Sequence, residues 1–254
     1  MSTKTVKLRF YEELNDFLEK GKKKKTFLYQ FSGKQTIKHV IEALGIPHTE
    51  VELILANGVS VEFDYHIKDG DHISVYPVFE TFDVSPIIRL REKPLRNIKF
   101  ILDVHLGKLA KILRMLGFDT FYKNDYNDRV IINISKADNR IILTRNCGIL
   151  KNKSVTHGCY IRSEQPYEQA TEVLQRFDLF SQINAFHRCL ICNGVFESVS
   201  KESILFKIPP KTAKYYNEFH KCPDCGRIFW KGSHYFKMKE KIERIYKFRH
   251  PDLE

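Results

Sequence analysis

Apolar side chains recur at every second position over residues 6–10 (VKLRF), and a second run at 26–31 (TFLYQF) predicts the returning arm of a β-hairpin. Thr36 stands where a helix cap belongs. In the IKHVIEALG that follows, Ile37, Val40, Ile41 and Leu44 form a stripe of 3.6-residue period that stops at Gly45. Further strands are expected in VELILANGVSVEF, around an Asn57-Gly58 turn, and in KDGDHISVYPVF, after a Gly70-Asp71 turn. Hairpin, helix and returning strands in this order predict a β-grasp domain over residues 1–85. Two prolines and a cluster of basic residues in SPIIRLREKPLRN then mark a linker over 86–97.

Beyond the linker the pattern changes. The apolar run FIL ends in Asp103, as a buried parallel strand would, and this delivers the acid to the sheet edge where ligands of open α/β folds bind. A helix follows, with Leu106, Leu109, Ala110, Leu113 and Leu116 inward and Lys108, Lys111 and Arg114 recurring every third residue on another face; Gly117 closes it. FDTFY is the next strand. Asp125 and Asp128 flank the entry to a second helix with Val130, Ile131, Ile134 and Ala137 inward, RIILTRN is a third strand ending in Thr144, Arg145 and Asn146, and GCYIRS is a fourth. This alternation predicts a parallel α/β domain over 98–183. In the remaining region, 184–254, MKEKIERIYKFRH predicts a basic amphipathic helix with Met238, Ile242, Ile245 and Phe248 on its apolar face.

Charge separates these regions. Residues 1–85 hold eleven basic against thirteen acidic side chains, and the rest of the chain holds 31 against 18. The basic excess downstream points to a polyanion partner, most simply nucleic acid.

Four of the six cysteines fall into two CxxC pairs, Cys189/Cys192 and Cys222/Cys225. Two such turns bring four thiolates onto one ion, and a shell of four sulfurs leaves no open position, so a zinc held there is structural. Disulfides or buried thiols are the alternative. No apolar run approaches the roughly 20 residues that span a bilayer, and the first residues lack the apolar core of a secretory signal. A cytoplasmic protein without membrane contact is expected, where thiols stay reduced. Cys147 and Cys159 read as small core residues.

LDVHLGKLAKILRMLGFDT, RIILTRN, the CxxC pairs and FWKGSHY together resemble the Mut-seven C-terminal RNase family, a PIN-like fold with a zinc ribbon behind it, over about residues 98–238. Some bacterial members carry a ubiquitin-like domain in front. The stretch from ELILANG through KDGDHISVYP is similar to ubiquitin-like sulfur carriers, which end in an exposed Gly-Gly. Here the strand runs on into FETFDVSP, so an interaction role with an unknown protein partner is expected for the β-grasp domain. The resemblance implies a metal-dependent ribonuclease. PIN-like nucleases gather carboxylates around Mg²⁺ or Mn²⁺; Asp103 matches the first acid, and Asp128, with Asp125 close by, matches the acid at the second helix. The last acid lies in an LTRD motif, and this chain has LTRN. Asn146 keeps an oxygen but loses a charge, which weakens a site for hard cations. A catalytically weakened or inactive RNA- or ribosome-binding protein is therefore the alternative. For the RNA partner, a tRNA or ribosome among the possibilities, Lys108, Lys111, Arg114 and Arg145 are expected on phosphates. Trp230, Lys231 and His234 interleave aromatic and cationic groups suited to bases and phosphates.

Overall fold

The computed structural model of the chain describes residues 3–77 and 98–247; the linker 86–97, the FETFDVSP extension and Phe248 lie outside the described residues. In chain order come strands β1 (Lys4–Phe10) and β2 (Phe27–Phe31), helix α1 (Ile37–Ala43), and strands β3 (Val51–Ala56), β4 (Val59–Ser60) and β5 (His72–Pro77). They are followed by β6 (Lys99–Leu102), α2 (Gly107–Met115), β7 (Asp119–Phe121), α3 (Asp128–Asp138), β8 (Ile141–Thr144), α4 (Cys147–Leu150), β9 (Gly158–Tyr160) and α5 (Pro166–Arg176). The last elements are β10 (Glu197–Val199), α6 (Pro210–Tyr215), β11 (Phe219–Lys221), β12 (Ile228–Trp230) and α7 (Ser233–Lys247). The chain forms two compact units, Met1–Asn97 with Asn127–Tyr160, and Ile98–Tyr126 with Ile161–Glu254.

In the first unit the N-terminal strands form a mixed sheet in the order β2-β1-β5-β3-β4. Strand β1 runs antiparallel to β2 and parallel to β5, which is the ubiquitin-like arrangement. Alternation explains its core: Val6, Leu8 and Phe10 of β1 and Ile73 and Val75 of β5 face Ile37, Val40 and Ile41 of α1. The Thr36 hydroxyl accepts the His39 N–H at 3.4 Å and so starts the helix. In the same unit β8 pairs with β9 in parallel, and all four β8 side chains are buried, as strands covered on both faces are. Helix α3 is capped by Asn127, whose side chain accepts the Val130 N–H at 3.0 Å. Its inward face differs from the expected one: Ile131 and Ser135 are buried, Val130 and Ile134 half-buried, and Ala137 exposed.

Within this unit the ubiquitin-like sheet is seated on β9. The short turn His48–Glu50 lies against that strand, and the fully buried Glu50 carboxylate accepts the Tyr160 N–H at 2.8 Å. His48 places Nδ1 2.8 Å from Glu42 Oε1 and Nε2 3.0 Å from the Val155 carbonyl. The Phe17 ring meets the edge of Tyr160 at 5.2 Å.

In the second unit β6 pairs with β7 in parallel, and Phe100, Ile101 and Leu102 are fully buried. The inward stripe of α2 packs beside α5. Gly117 ends α2 with φ +98°, and a side chain there would run into the Asn184 carbonyl, so this close approach requires glycine. The ribbon sheet β10-β11-β12 is antiparallel, with Ile204, Ile208 and Phe219 at the centre of its small core. Helix α7 runs beside α5, with the Lys241 ammonium 5.6 Å over the Tyr167 ring, and it buries Ile242 and Ile245. The molecule is thus mixed α/β: a ubiquitin-like sheet, parallel strands with helices, and a small antiparallel sheet beside the cysteines. No helix among the described residues is long and apolar enough to cross a membrane.

Candidate functional site

The two CxxC turns have one backbone plan. In the first, the Cys189 N–H donates to the Gly194 carbonyl at 2.8 Å and the Asn193 N–H to the Cys189 carbonyl at 2.9 Å. In the second, the Cys222 N–H donates to Arg227 at 2.9 Å and the Gly226 N–H to Cys222 at 2.8 Å. Asn193 (φ 78°) and Gly226 (φ 72°) occupy the same left-handed position. The result brings the sulfurs of Cys189, Cys192, Cys222 and Cys225 within 4.8 Å of one another. Cys192 and Cys222 sulfurs stand 3.3 Å apart and those of Cys189 and Cys225 3.7 Å, far longer than the roughly 2.05 Å of a disulfide. Four sulfurs at about 2.3 Å from one ion would lie roughly 3.8 Å apart. The cluster therefore fits a structural zinc and leaves no position for substrate.

Electrostatics agree with that use. Burial pushes the Cys189, Cys192 and Cys222 thiols up, so holding all three as thiolates calls for a cation. For Cys225 burial is overcome by the Arg227 N–H and neighbouring sulfur contacts, which bring it down to about 6.

Arg114 of α2 and the strand β7 grip the first knuckle. Arg114 is only 4 % exposed. Its guanidinium donates to the Ile191 carbonyl at 2.8 Å and the Leu190 carbonyl at 3.2 Å, both inside the CxxC turn, and to Thr120 at 2.9 Å. Burial lowers its pKa, while Cys192, Cys189 and Asp119 oppose the shift. The expectation of Arg114 on RNA phosphate therefore gives way to a buried clamp on the knuckle. Asn193 accepts the Thr120 N–H at 2.9 Å and donates to Asp119 at 2.9 Å, which ties the knuckle to strand β7. Sequence reasoning missed Asn193, although it follows Cys192 as Gly226 follows Cys225, a readable signal of a left-handed position after each CxxC turn.

The acidic candidates divide between the units. In the second unit Asp103 follows β6, is 5 % exposed, and accepts the His105 N–H at 2.9 Å; Asp125 is exposed. In the first unit the structure brings Asp128 and Asn146 together, the Asn146 Nδ2 donating to Asp128 Oδ2 at 3.2 Å. Asn146 Oδ1 accepts the Gly148 N–H at 2.9 Å and caps α4. The amide thus presents a donor, not an oxygen, to the neighbouring carboxylate. Arg145 beside it is half-buried.

Among the basic candidates Lys108 and Lys111 are exposed and line a cleft of about 610 Å³ with His105, Tyr122 and Glu164. On the ribbon Trp230 is half-buried, Lys231 is exposed and paired with Glu218 at 2.5 Å, and His234 is exposed in the first turn of α7 and stands apart from the cysteines.

A ubiquitin-like sheet in front of a parallel α/β domain that carries a four-cysteine ribbon defines a modular class of protein. Residues 98–242 match the Mut7-C RNAse domain and residues 3–83 the Mut7-C ubiquitin domain. The chain belongs to the Mut7-C RNAse domain family. No curated protein and no solved structure matches it.

Proposed function

We propose that the chain is a cytoplasmic, metal-dependent ribonuclease of PIN-like fold, with Asp103, Asp125 and Asp128 as its acids. The observation that carries this reading is the match to the Mut7-C RNAse domain over residues 98–242. The carboxylates fit the oxygen preference of a hard cation, with one charge fewer than the family pattern because of Asn146. These acids would offer oxygen ligands to a Mg²⁺ or Mn²⁺, which would supply an activated water and stabilise charge on the scissile phosphate. The chain's own part is to position RNA: Lys108 and Lys111 line a cleft that suits backbone phosphates, and Arg145 can offer a phosphate two parallel hydrogen bonds.

A second reading, an RNA- or ribosome-binding protein without catalysis, is favoured by the Asn146–Asp128 contact. An amide donor there does part of what a cation would do for Asp128. The test is labelled RNA with Mn²⁺ for wild type, Asn146→Asp and Asp103→Asn. Cleavage by wild type that is lost in Asp103→Asn supports the enzyme. Asn146→Asp restores a charge and is expected to tighten Mn²⁺ binding, about tenfold in titration. Cleavage by Asn146→Asp alone establishes the second reading, and full activity of Asp103→Asn overturns the catalytic assignment.

A further inference from the structure

The ribbon sheet has two unlike faces. Alternation along β11 and β12 sends Phe219 and Ile228 into the ribbon core, while His220 and Phe229, partners across the two strands, point the other way. On that outer side lies a cleft of about 250 Å³. One wall is Phe196 with Phe229, ring centroids 4.6 Å apart; another is Phe186 with Tyr235, centroids 4.4 Å apart. All four rings, and His220 with them, are only half-buried, so aromatic surface faces water instead of closing into a core. Arg188, which donates to the Gly117 and Asn193 carbonyls and pairs with Asp119, and Lys231, paired with Glu218, stand among the lining residues, so an anionic occupant competes with carboxylates for these two cations.

The volume selects the occupant. It falls below the roughly 300–1,000 Å³ of pockets for drug-sized ligands, and it is far too narrow for a duplex. A single planar group stacked against rings fits, with cations nearby for the charge attached to it. Residues 184–254 hold fourteen Lys and Arg against eight Asp and Glu, which favours an anionic chain over an apolar peptide.

We propose that this cleft receives one unstacked base of single-stranded RNA, on the face of the ribbon built by Phe196, Phe229, Phe186 and Tyr235. The proposal deepens the RNA reading given above and rests on it. Base–aromatic stacking tolerates any sequence, because every base has a π-face. The ribbon then holds the RNA by a base while the basic excess of the chain holds phosphates. The zinc cluster acts only as the scaffold that fixes β11 and β12.

Trp230 is the chain's single tryptophan; it is among the residues lining the cleft, follows Phe229 on β12 and packs its ring against Phe219 of the ribbon core, so its fluorescence reports on the strand that carries Phe229. Full-length protein is titrated at low salt with a single-stranded hexaribonucleotide and with an abasic oligomer of the same length, while filter binding follows RNA affinity independently. The proposal expects the intact hexamer to quench Trp230 and the abasic one to leave it unchanged. Phe229→Ala, with zinc content and circular dichroism unaltered, should weaken hexamer binding about tenfold without changing its salt slope, and Phe229→Tyr should restore it. Filter binding without quenching, equal quenching by both oligomers, or wild-type affinity in a folded Phe229→Ala overturns the base pocket while leaving the RNA reading intact. Absence of RNA in filter binding sinks both. Quenching by an apolar hexapeptide but not by RNA reassigns the cleft to a protein partner.

Discussion

At the scale of the residue, Arg114 carries most consequence. Three backbone carbonyls around the first knuckle take its N–H groups, and the guanidinium lies beside a cluster that with zinc bound carries net negative charge. Arg114→Leu leaves those carbonyls unpaired in a buried place. It should destabilise the protein by about 2–4 kcal/mol and weaken zinc about ten- to a hundredfold, read by urea unfolding and by competition with a chromophoric chelator. Unchanged zinc affinity would show that the clamp has no part in the metal centre. Why the sequence misled here is geometric. Three residues turn an α-helix through about 300°, so a period-three row drifts, and Arg114 stands about 120° around the axis from Lys108. The lysines remain at the surface and the arginine has rotated inward. The place of Asp103 after β6 and the cluster of four cysteines were legible because a strand end and a CxxC turn are local patterns. The donor geometry of Asn146 was not, since it depends on Asp128, eighteen residues away.

Among the elements, strands and helices were largely readable from period. The β-grasp hairpin, the Thr36 cap and the buried β8 run all follow from alternation, capping chemistry and continuous apolarity. Less readable was α3, where burial centres on Ile131 and leaves Ala137 about 120° away in water. The ribbon is the element that depends on an ion. Chelation should release the knuckles and lose β10–β12, while amides of the ubiquitin-like sheet keep their hydrogen-exchange protection. Loss of protection in β1 and β5 at the same rate would contradict this.

The short turn at His48 carries a pH response. Burial and then Lys38 lower the His48 pKa below 6.5, outweighing the Val155 carbonyl and the Glu42 carboxylate. The shift favours the neutral ring, although that ring has one N–H and donates to only one of its two acceptors, the Glu42 carboxylate or the Val155 carbonyl. Stability from this group is fully present above about pH 6.5, where both states are neutral, and is lost as pH falls through the lower folded value, because the unfolded chain binds the proton first. Urea midpoints between pH 5 and 7.5 should fall on the acid side for wild type and flatten in His48→Gln. The same slope in both proteins would remove His48 as the cause.

For the whole molecule the charge division predicts where RNA affinity resides. Bound phosphates release counterions, so the logarithm of affinity should fall steeply with the logarithm of salt. Lys108→Ala with Lys111→Ala should reduce that slope by about two and weaken all sequences alike, whereas neutralising Lys22–Lys25 should change it little. An equal loss from the N-terminal lysines would place the RNA contact on the wrong part of the chain. Composition announced this division, but it could not announce that residues 127–160 share a compact unit with the N-terminal sheet. That partition comes from contacts between distant stretches, which no local pattern encodes.

The bond from Tyr160 to the buried Glu50 spans 110 residues of sequence. At roughly 5–20 residues per second a ribosome needs about 5 to 20 s to travel from one to the other, longer than a small sheet takes to fold. The ubiquitin-like module can thus be finished while its seat is still being synthesised, and its carboxylate is the side that waits. A stall between the two codons would leave the Glu50 carboxylate without its Tyr160 donor until β9 emerges.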